Sequence, residues 1–250
     1  MRYPEVYVGR CAPFIGGKSS AIVKRQMTDA LTLLHLGLAG DEQAESRIHG
    51  GADRALCHYP CEHYDYWRQA YPQQAERFEA AVFGENLSTL GMDEASVFIG
   101  DIYRWGEALI QVTQPRSPCY KLNQMMEIGD LSLHMQQSGR CGWLYRVVAE
   151  GRVGDRCPLE LVSRNGDISV AQCIAIVFHM PFDEAEYRRL LACAGLSASW
   201  CKTLQNRLLH GRIEEMNRRL YGGVAPVPRK AGRRRSQRYR ERTIRKCPTK

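Results

Sequence analysis

Cys119 stands in the segment Gln114 to Leu122, QPRSPCYKL, behind Pro115 and Pro118 and between Arg116 and Lys121. Each proline fixes its own φ near about −65° and pushes the preceding residue toward extended backbone, so the spacing predicts a rigid loop carrying the sulfur. Cations brought close in space favour the thiolate, which attacks electrophiles and binds soft metals. A buried structural cysteine is the alternative reading of the same residues.

Three glycine-containing segments could act beside it. GGKSS, Gly16 to Ser20, approaches a Walker A loop, but Ala12 occupies the position of that loop's first glycine and Pro13 follows it. Without the tight turn the phosphates are not wrapped, which leaves a looser phosphate contact through Lys18 and a serine hydroxyl such as Ser20. IHGGADRA, Ile48 to Ala55, offers the backbone N–H groups of Gly50 and Gly51 as an anion-binding concavity beside His49 and Arg54, or else forms a plain turn. FGENL, Phe83 to Leu87, places Glu85 and Asn86 on a loop. Cys57, His58, Cys61 and His63 are zinc-ligand types, yet they crowd into seven residues, where structural zinc sites pair separated couples. Iron–sulfur spacings are absent. Cys173, Cys193 and Cys201 read as small core residues.

The elements that must hold these segments change character along the chain. Up to about residue 165, short apolar or alternating runs are cut by Gly, Pro, Asn and Asp, which predicts strands over Glu5 to Cys11, Val97 to Trp105, Ala108 to Thr113, Trp143 to Val148 and Leu159 to Ser163. Two helices interrupt them, one from near Cys61 to about Ala70 and one from an Asp130 cap to Gly139. Beyond Ser163 come three short helices, capped by Asp167 or Ser169, by Asp183 and by Ser197, then an amphipathic piece from Ile213 to Leu220. The expected domains are 1–165, 166–222 and a basic tail, 223–250.

Of the 250 residues, 44% are hydrophobic and 25% charged, an ordinary globular balance. The net charge of +8 invites a nucleic-acid reading, but residues 226–250 hold eleven Lys or Arg against Glu241, a balance of +10, so the other 225 residues carry 24 bases and 26 acids, or −2. Such a tail buries too little apolar surface to fold and is expected to be disordered, binding polyanions weakly and salt-dependently. No apolar run reaches the length of a membrane span, and the N-terminus lacks a signal-peptide core. A cytoplasmic protein with its ten cysteines as thiols is the expectation.

In order and spacing, IHGGADRALCHYP, FGENLST, the Gly-Asp turn before IYRWGEALIQV, and QPRSPCYKL resemble bacterial MOSC-domain proteins of the YiiM type, over roughly residues 1 to 222. The resemblance implies a mixed α+β fold: a MOSC-type β-barrel with peripheral helices, a small three-helix domain and the basic tail as an accessory. It implies a molybdenum cofactor (molybdopterin), with Cys119 as thiolate ligand of the metal, and reduction of N-hydroxylated bases such as 6-hydroxylaminopurine. Lys18, Ser20, Gly50, Gly51, Asp53, Arg54, Asn86 and Arg116 are the implied cofactor-binding residues, and His49 or Glu85 the proton donor. With no flavin or cluster motif, a separate electron-donating reductase is implied as partner. The sequence departs from the family at Cys61, where a basic residue is expected, and after Gly222. Alternative readings are a persulfide sulfur carrier or cofactor carrier built on Cys119, and a nucleic-acid-binding module made of the helices and tail.

Overall fold

The structure, a computed structural model, describes residues 2–44 and 50–223, without the side chain of Lys18. His49 and the tail from 224 on lie outside the described residues. Thirteen strands are formed among them: β1 (Glu5–Val8), β2 (Ala12–Phe14), β3 (Lys18–Ser20), β4 (Arg25–Met27), β5 (Leu31–Leu34), β6 (Gly37–Leu38), β7 (Leu56–Pro60), β8 (Leu87–Thr89), β9 (Ile102–Trp105), β10 (Ala108–Pro115), β11 (Trp143–Ala149), β12 (Gly151–Val153) and β13 (Leu159–Ser163). Period-two patterning builds the central ones: Tyr103 and Trp105 on β9, then Ala108, Ile110 and Val112 on β10, all face inward and are buried.

Eight strands form one sheet in the order β13-β9-β10-β11-β7-β8-β1-β4, antiparallel at every pairing except β7 with β8. The sheet curls until Arg2, just ahead of β1, bridges Leu159 on β13, whose N–H donates to the Arg2 carbonyl at 2.8 Å. Two fully buried ring clusters hold the sheet from its opposite faces: Trp105 and Trp143, beside Tyr103, Tyr145 and His58, on the inner face, and Tyr59, Trp67, Phe78 and Phe83 on the other. Burial of a side chain of Phe size stabilises by about 2–3 kcal/mol, so each cluster anchors the strands it packs on.

Helices cover the outside and the C-terminal end. They are α1 (His63–Ala70), α2 (Tyr120–Met126), α3 (Leu131–Ser138), α4 (Val170–Ile174), α5 (Glu184–Leu191), α6 (Ala198–His210) and α7 (Asn217–Tyr221), with a π-helical turn, Ala175–His179, continuing α4. The caps read from sequence act as such: Ser169 forms a capping box with Gln172, Asp183 accepts from the Glu186 N–H at 3.1 Å, and Ser197 from that of Trp200 at 3.2 Å. Asp130 occupies the cap position of α3 but makes no side-chain bond to it.

The strands expected over Glu5 to Cys11 and Val97 to Trp105 form only over Glu5–Val8 and Ile102–Trp105, and two segments near the cysteine loop also differ from expectation. Leu56–Pro60 is a strand, paired to β11 and β8, where the residue types had suggested only a zinc-like cluster. Tyr120–Met126 is a helix, so the cysteine loop ends at Cys119 itself. The last helix among the described residues, α7, folds back on this region. Asn123 Nδ2 and Ser132 Oγ donate to the Leu220 carbonyl at 2.9 and 2.8 Å, which seats α7 against both α2 and α3.

Candidate functional site

Cys57, Leu144 and Gln114 are cross-strand neighbours on β7, β11 and β10, and all three line one open cleft. Ser20, Ile22 and Lys24 follow β3 into its wall, Asp41 to Ala44 and Arg54 add a second side, and Phe83, Gly84 and Asn86 a third. The segment Arg116, Ser117, Cys119, with Lys121 and Leu122 from the first turn of α2, completes it. Gly84 is required here. Its φ is +77°, and a Cβ would meet Ile22 Cγ1 at 2.8 Å.

Cys119 is the N-cap of α2, extended at φ −133° and ψ 164°, and half-buried. Proline-restricted backbone thus ends where the helix starts, and the thiol projects from the junction into the cleft wall. Arg116 is anchored on the same segment, its N–H donating to the Gly142 carbonyl at 3.0 Å and its Nη2 to the Phe83 carbonyl. Its Nη1 is buried without a partner. Burial alone would lower the guanidinium's pKa; the neighbouring Cys57, Glu85 and Cys119 outweigh that and hold it above the ordinary value. Burial pushes the Cys57 thiol up, while Arg116 pulls it back.

Asn86 is fixed on every polar atom. Its Oδ1 accepts from the Cys57 N–H at 3.1 Å, and its Nδ2 donates to Asp41 Oδ2 at 2.8 Å and to the Tyr7 carbonyl at 3.2 Å. Asp41 Oδ1 in turn accepts from Lys24 Nζ and from the Gly9 N–H, the latter at 2.7 Å. The sequence reading missed Lys24, Asp41, Cys57 as a cleft residue, and Gln114. Nothing local marks them: Lys24, Asp41 and Asn86 lie far apart in sequence and meet only through the fold.

Of the implied site residues, Cys119, Ser20, Arg54, Asn86 and Arg116 come together on the cleft. Lys18 lies on β3, next to Ser20 in the chain. Asp53 does not line it. Its carboxylate pairs with Arg146 at 2.7 Å and accepts from the Ala198 N–H at 2.8 Å, so it ties the start of α6 to the barrel. Gly50 and Gly51 are likewise off the cleft wall, Gly51 opening the short helical turn Ala52–Arg54. Glu85 sits behind the wall, fully buried, with Oε1 accepting from Tyr64 Oη and from the Ala81 N–H at 2.7 Å. Desolvation raises its pKa against the pull of Tyr64, backbone N–H groups and Arg116. It is bonded to Tyr64 and Ala81 and does not line the cleft.

Strand alternation separates Cys57 from His58, while Cys61 lies in the turn after β7 and His63 opens α1. Cys57 faces the cleft, His58 lies in the core between Tyr145 Oη at 3.1 Å and Thr89 Oγ1 at 2.8 Å, and His63 pairs with Glu94 at 2.7 Å. Burial drives the His58 pKa down to about 3, and burial with Glu62 pushes the Cys61 thiol up to about 11. We expect Cys61→Ser to change stability by less than about 1 kcal/mol and to leave bound metal unaltered. Thermal unfolding and metal analysis check this; stoichiometric zinc lost in the variant would reverse it.

Residues 45–158 match the MOSC domain, and residues 168–211 match the YiiM-like, 3-alpha helix domain. The chain is 58% identical over 223 residues to Protein YiiM of Escherichia coli K12, covering 89% of this chain and all of that one. The crystal structure of YiiM from Escherichia coli superposes with a TM-score of 0.79 at 52% identity, over 89% of this chain and 100% of the other. A protein of Gibberella moniliformis named Reductase is 36% identical over 152 residues, 60% of this chain and 27% of its own length. With both domains matched and the relation to YiiM running through nearly the whole described chain, this protein belongs to the MOSC-domain family, in its YiiM-type branch.

Proposed function

We propose that this chain is a molybdenum-cofactor-dependent reductase of N-hydroxylated bases such as 6-hydroxylaminopurine, converting N–OH to N–H. The observation that carries the reading is one cleft holding both the Cys119 thiol and a buried, unpartnered Arg116 Nη1. A soft thiol suits a sulfur-rich, redox-active metal, and an orphaned guanidinium N–H suits an anionic group beside it. The residues present therefore fit the cofactor associated with MOSC domains. When bound, that cofactor would supply the two-electron redox chemistry that N–OH reduction needs. The balance is R–NHOH with two electrons and two protons giving R–NH2 and water.

The chain's own residues supply the setting. Cys119 would hold the metal from a backbone whose extended and helical halves are both fixed. Arg116 would donate to an anionic group of the cofactor, with Arg54, Lys24 and Lys121 on the same walls. Phe83, Leu122 and Leu144 offer apolar surface that receives a base and excludes water. His49 remains the proposed proton donor among the residues implied by the family. A separate reductase delivers the electrons. Support comes from family membership and from a relative whose name is Reductase.

Protein made in a host competent for cofactor synthesis, and in one lacking it, tests the reading. The first preparation is expected to carry stoichiometric molybdenum and to reduce an N-hydroxylated base with a low-potential artificial donor, and the second to do neither. Full turnover without molybdenum would overturn the proposal, and molybdenum without turnover would favour a cofactor carrier.

A further inference from the structure

The peptide that carries Cys119 is held from a helix a hundred residues downstream. Arg219 on α7 donates from Nη1 to the Pro118 carbonyl at 2.6 Å and from Nη2 to Gln136 Oε1 on α3 at 2.5 Å. Its guanidinium also lies 5.1 Å from the centre of the Phe178 ring, on the turn that continues α4. Three parts of the fold therefore fix one planar cation, and the only backbone oxygen of the cysteine segment it reaches is the one bonded through carbon to the Cys119 nitrogen. That contact sets the plane of the Pro118–Cys119 peptide and, with it, the direction in which the thiol leaves the chain. The docking of α7 does not depend on it, because the Leu220 carbonyl is held separately by Asn123 and Ser132.

We infer that Arg219 is a positioning residue for the Cys119 thiol, so that α7 supports from behind the cleft wall that carries Cys119. The inference rests on the proposed function for its catalytic meaning, but the positioning itself is a property of the cofactor-free protein. Geometry around a ligand is commonly set by such outer contacts, whose loss weakens metal binding or activity about 10-fold or more. Planarity matters here: Lys can present its ammonium to Pro118 or to Gln136, whereas Arg reaches both.

The test compares full-length wild type with Arg219→Gln and Arg219→Lys. In cofactor-free protein, amide hydrogen exchange over residues 116–122 should rise about 10-fold in Arg219→Gln while exchange over α3 stays unchanged. In protein from the cofactor-competent host, molybdenum lost on dialysis should increase, and kcat should fall about 10-fold with KM for the N-hydroxylated base unchanged. Arg219→Lys should lie between the two in each measurement, and it decides the question should the glutamine variant fail to fold. Exchange over 116–122 equal to wild type in both variants would overturn the inference. If wild type itself holds no molybdenum, the functional reading fails, and the exchange comparison still decides the role of Arg219.

Discussion

Cys119→Ser should abolish N–OH reduction while leaving the fold in place. Serine keeps the size of the side chain but replaces a soft thiol with a hard, weakly acidic hydroxyl, which is a poor ligand for a sulfur-rich metal. Cys119 is half-buried at a helix start and its side chain makes no capping bond, so the substitution removes little packing. The thermal transition should stay within about 1 kcal/mol of wild type, and the pterin should still be retained through Arg116 and its neighbours. Molybdenum content, pterin fluorescence after release and N–OH turnover measured on one preparation check each part. Near-normal turnover in the serine variant would remove the central residue of the proposed mechanism.

Arg116→Met is expected to show the next largest effect, and in two separable ways. Cofactor retention should collapse, because the cleft loses the guanidinium whose Nη1 is buried and unpartnered. Stability should also fall, by about 2–3 kcal/mol at neutral pH, as the Phe83 carbonyl loses its donor and the buried Glu85 loses the nearby cation. The second loss has a pH signature. Burial already raises the folded-state pKa of Glu85 above its unfolded value, and Arg116 is one of the groups holding it back. A raised carboxyl pKa contributes stability below the unfolded value, about 4.3, that is lost as pH rises through the folded one. Removing Arg116 lifts the folded pKa further, so the deficit against wild type should be smallest near pH 4 and grow toward neutrality. Denaturant titrations across that range read it directly, and adding Glu85→Gln should flatten the dependence. A deficit that stays constant across this range would show that Glu85 does not feel Arg116.

Local chemistry made some of this molecule legible and hid the rest. The helices after Ser163 were readable because Ser169, Asp183 and Ser197 each bond an N–H of the following turn, a signal that lives within four residues. By contrast α2 has Cys119 at its cap and no side-chain bond there, so the prolines before it read as loop and the helix went unseen. β7 was obscured by its composition, since Cys57 and His58 drew attention as ligands although alternation sends them to opposite sides of the sheet. For the site, the motif residues Cys119, Arg116, Asn86 and Arg54 converge on the cleft. Asp53 and Glu85 belong to the same motifs but serve as struts, a distinction that depends on which neighbours the fold supplies. The Lys24–Asp41–Asn86 chain has no sequence signature because its members approach only through tertiary structure.

The bridge between Arg2 and Leu159 has a consequence for how the protein is born. On the ribosome β1 emerges ahead of β4, which arrives soon after to cover one of its edges. Its other edge is taken by β8, and the lead-in residue finds β13 only when most of the barrel has been synthesised. Pairings this distant close more slowly than local hairpins, and an uncovered strand edge in the interval is a template for misassociation. The nascent chain thus passes through a stage in which holdase chaperones would have an edge to guard. Because the helix that seats against Asn123 and Ser132 follows later still, α2 and α3 receive its packing only after every strand of the barrel has been made.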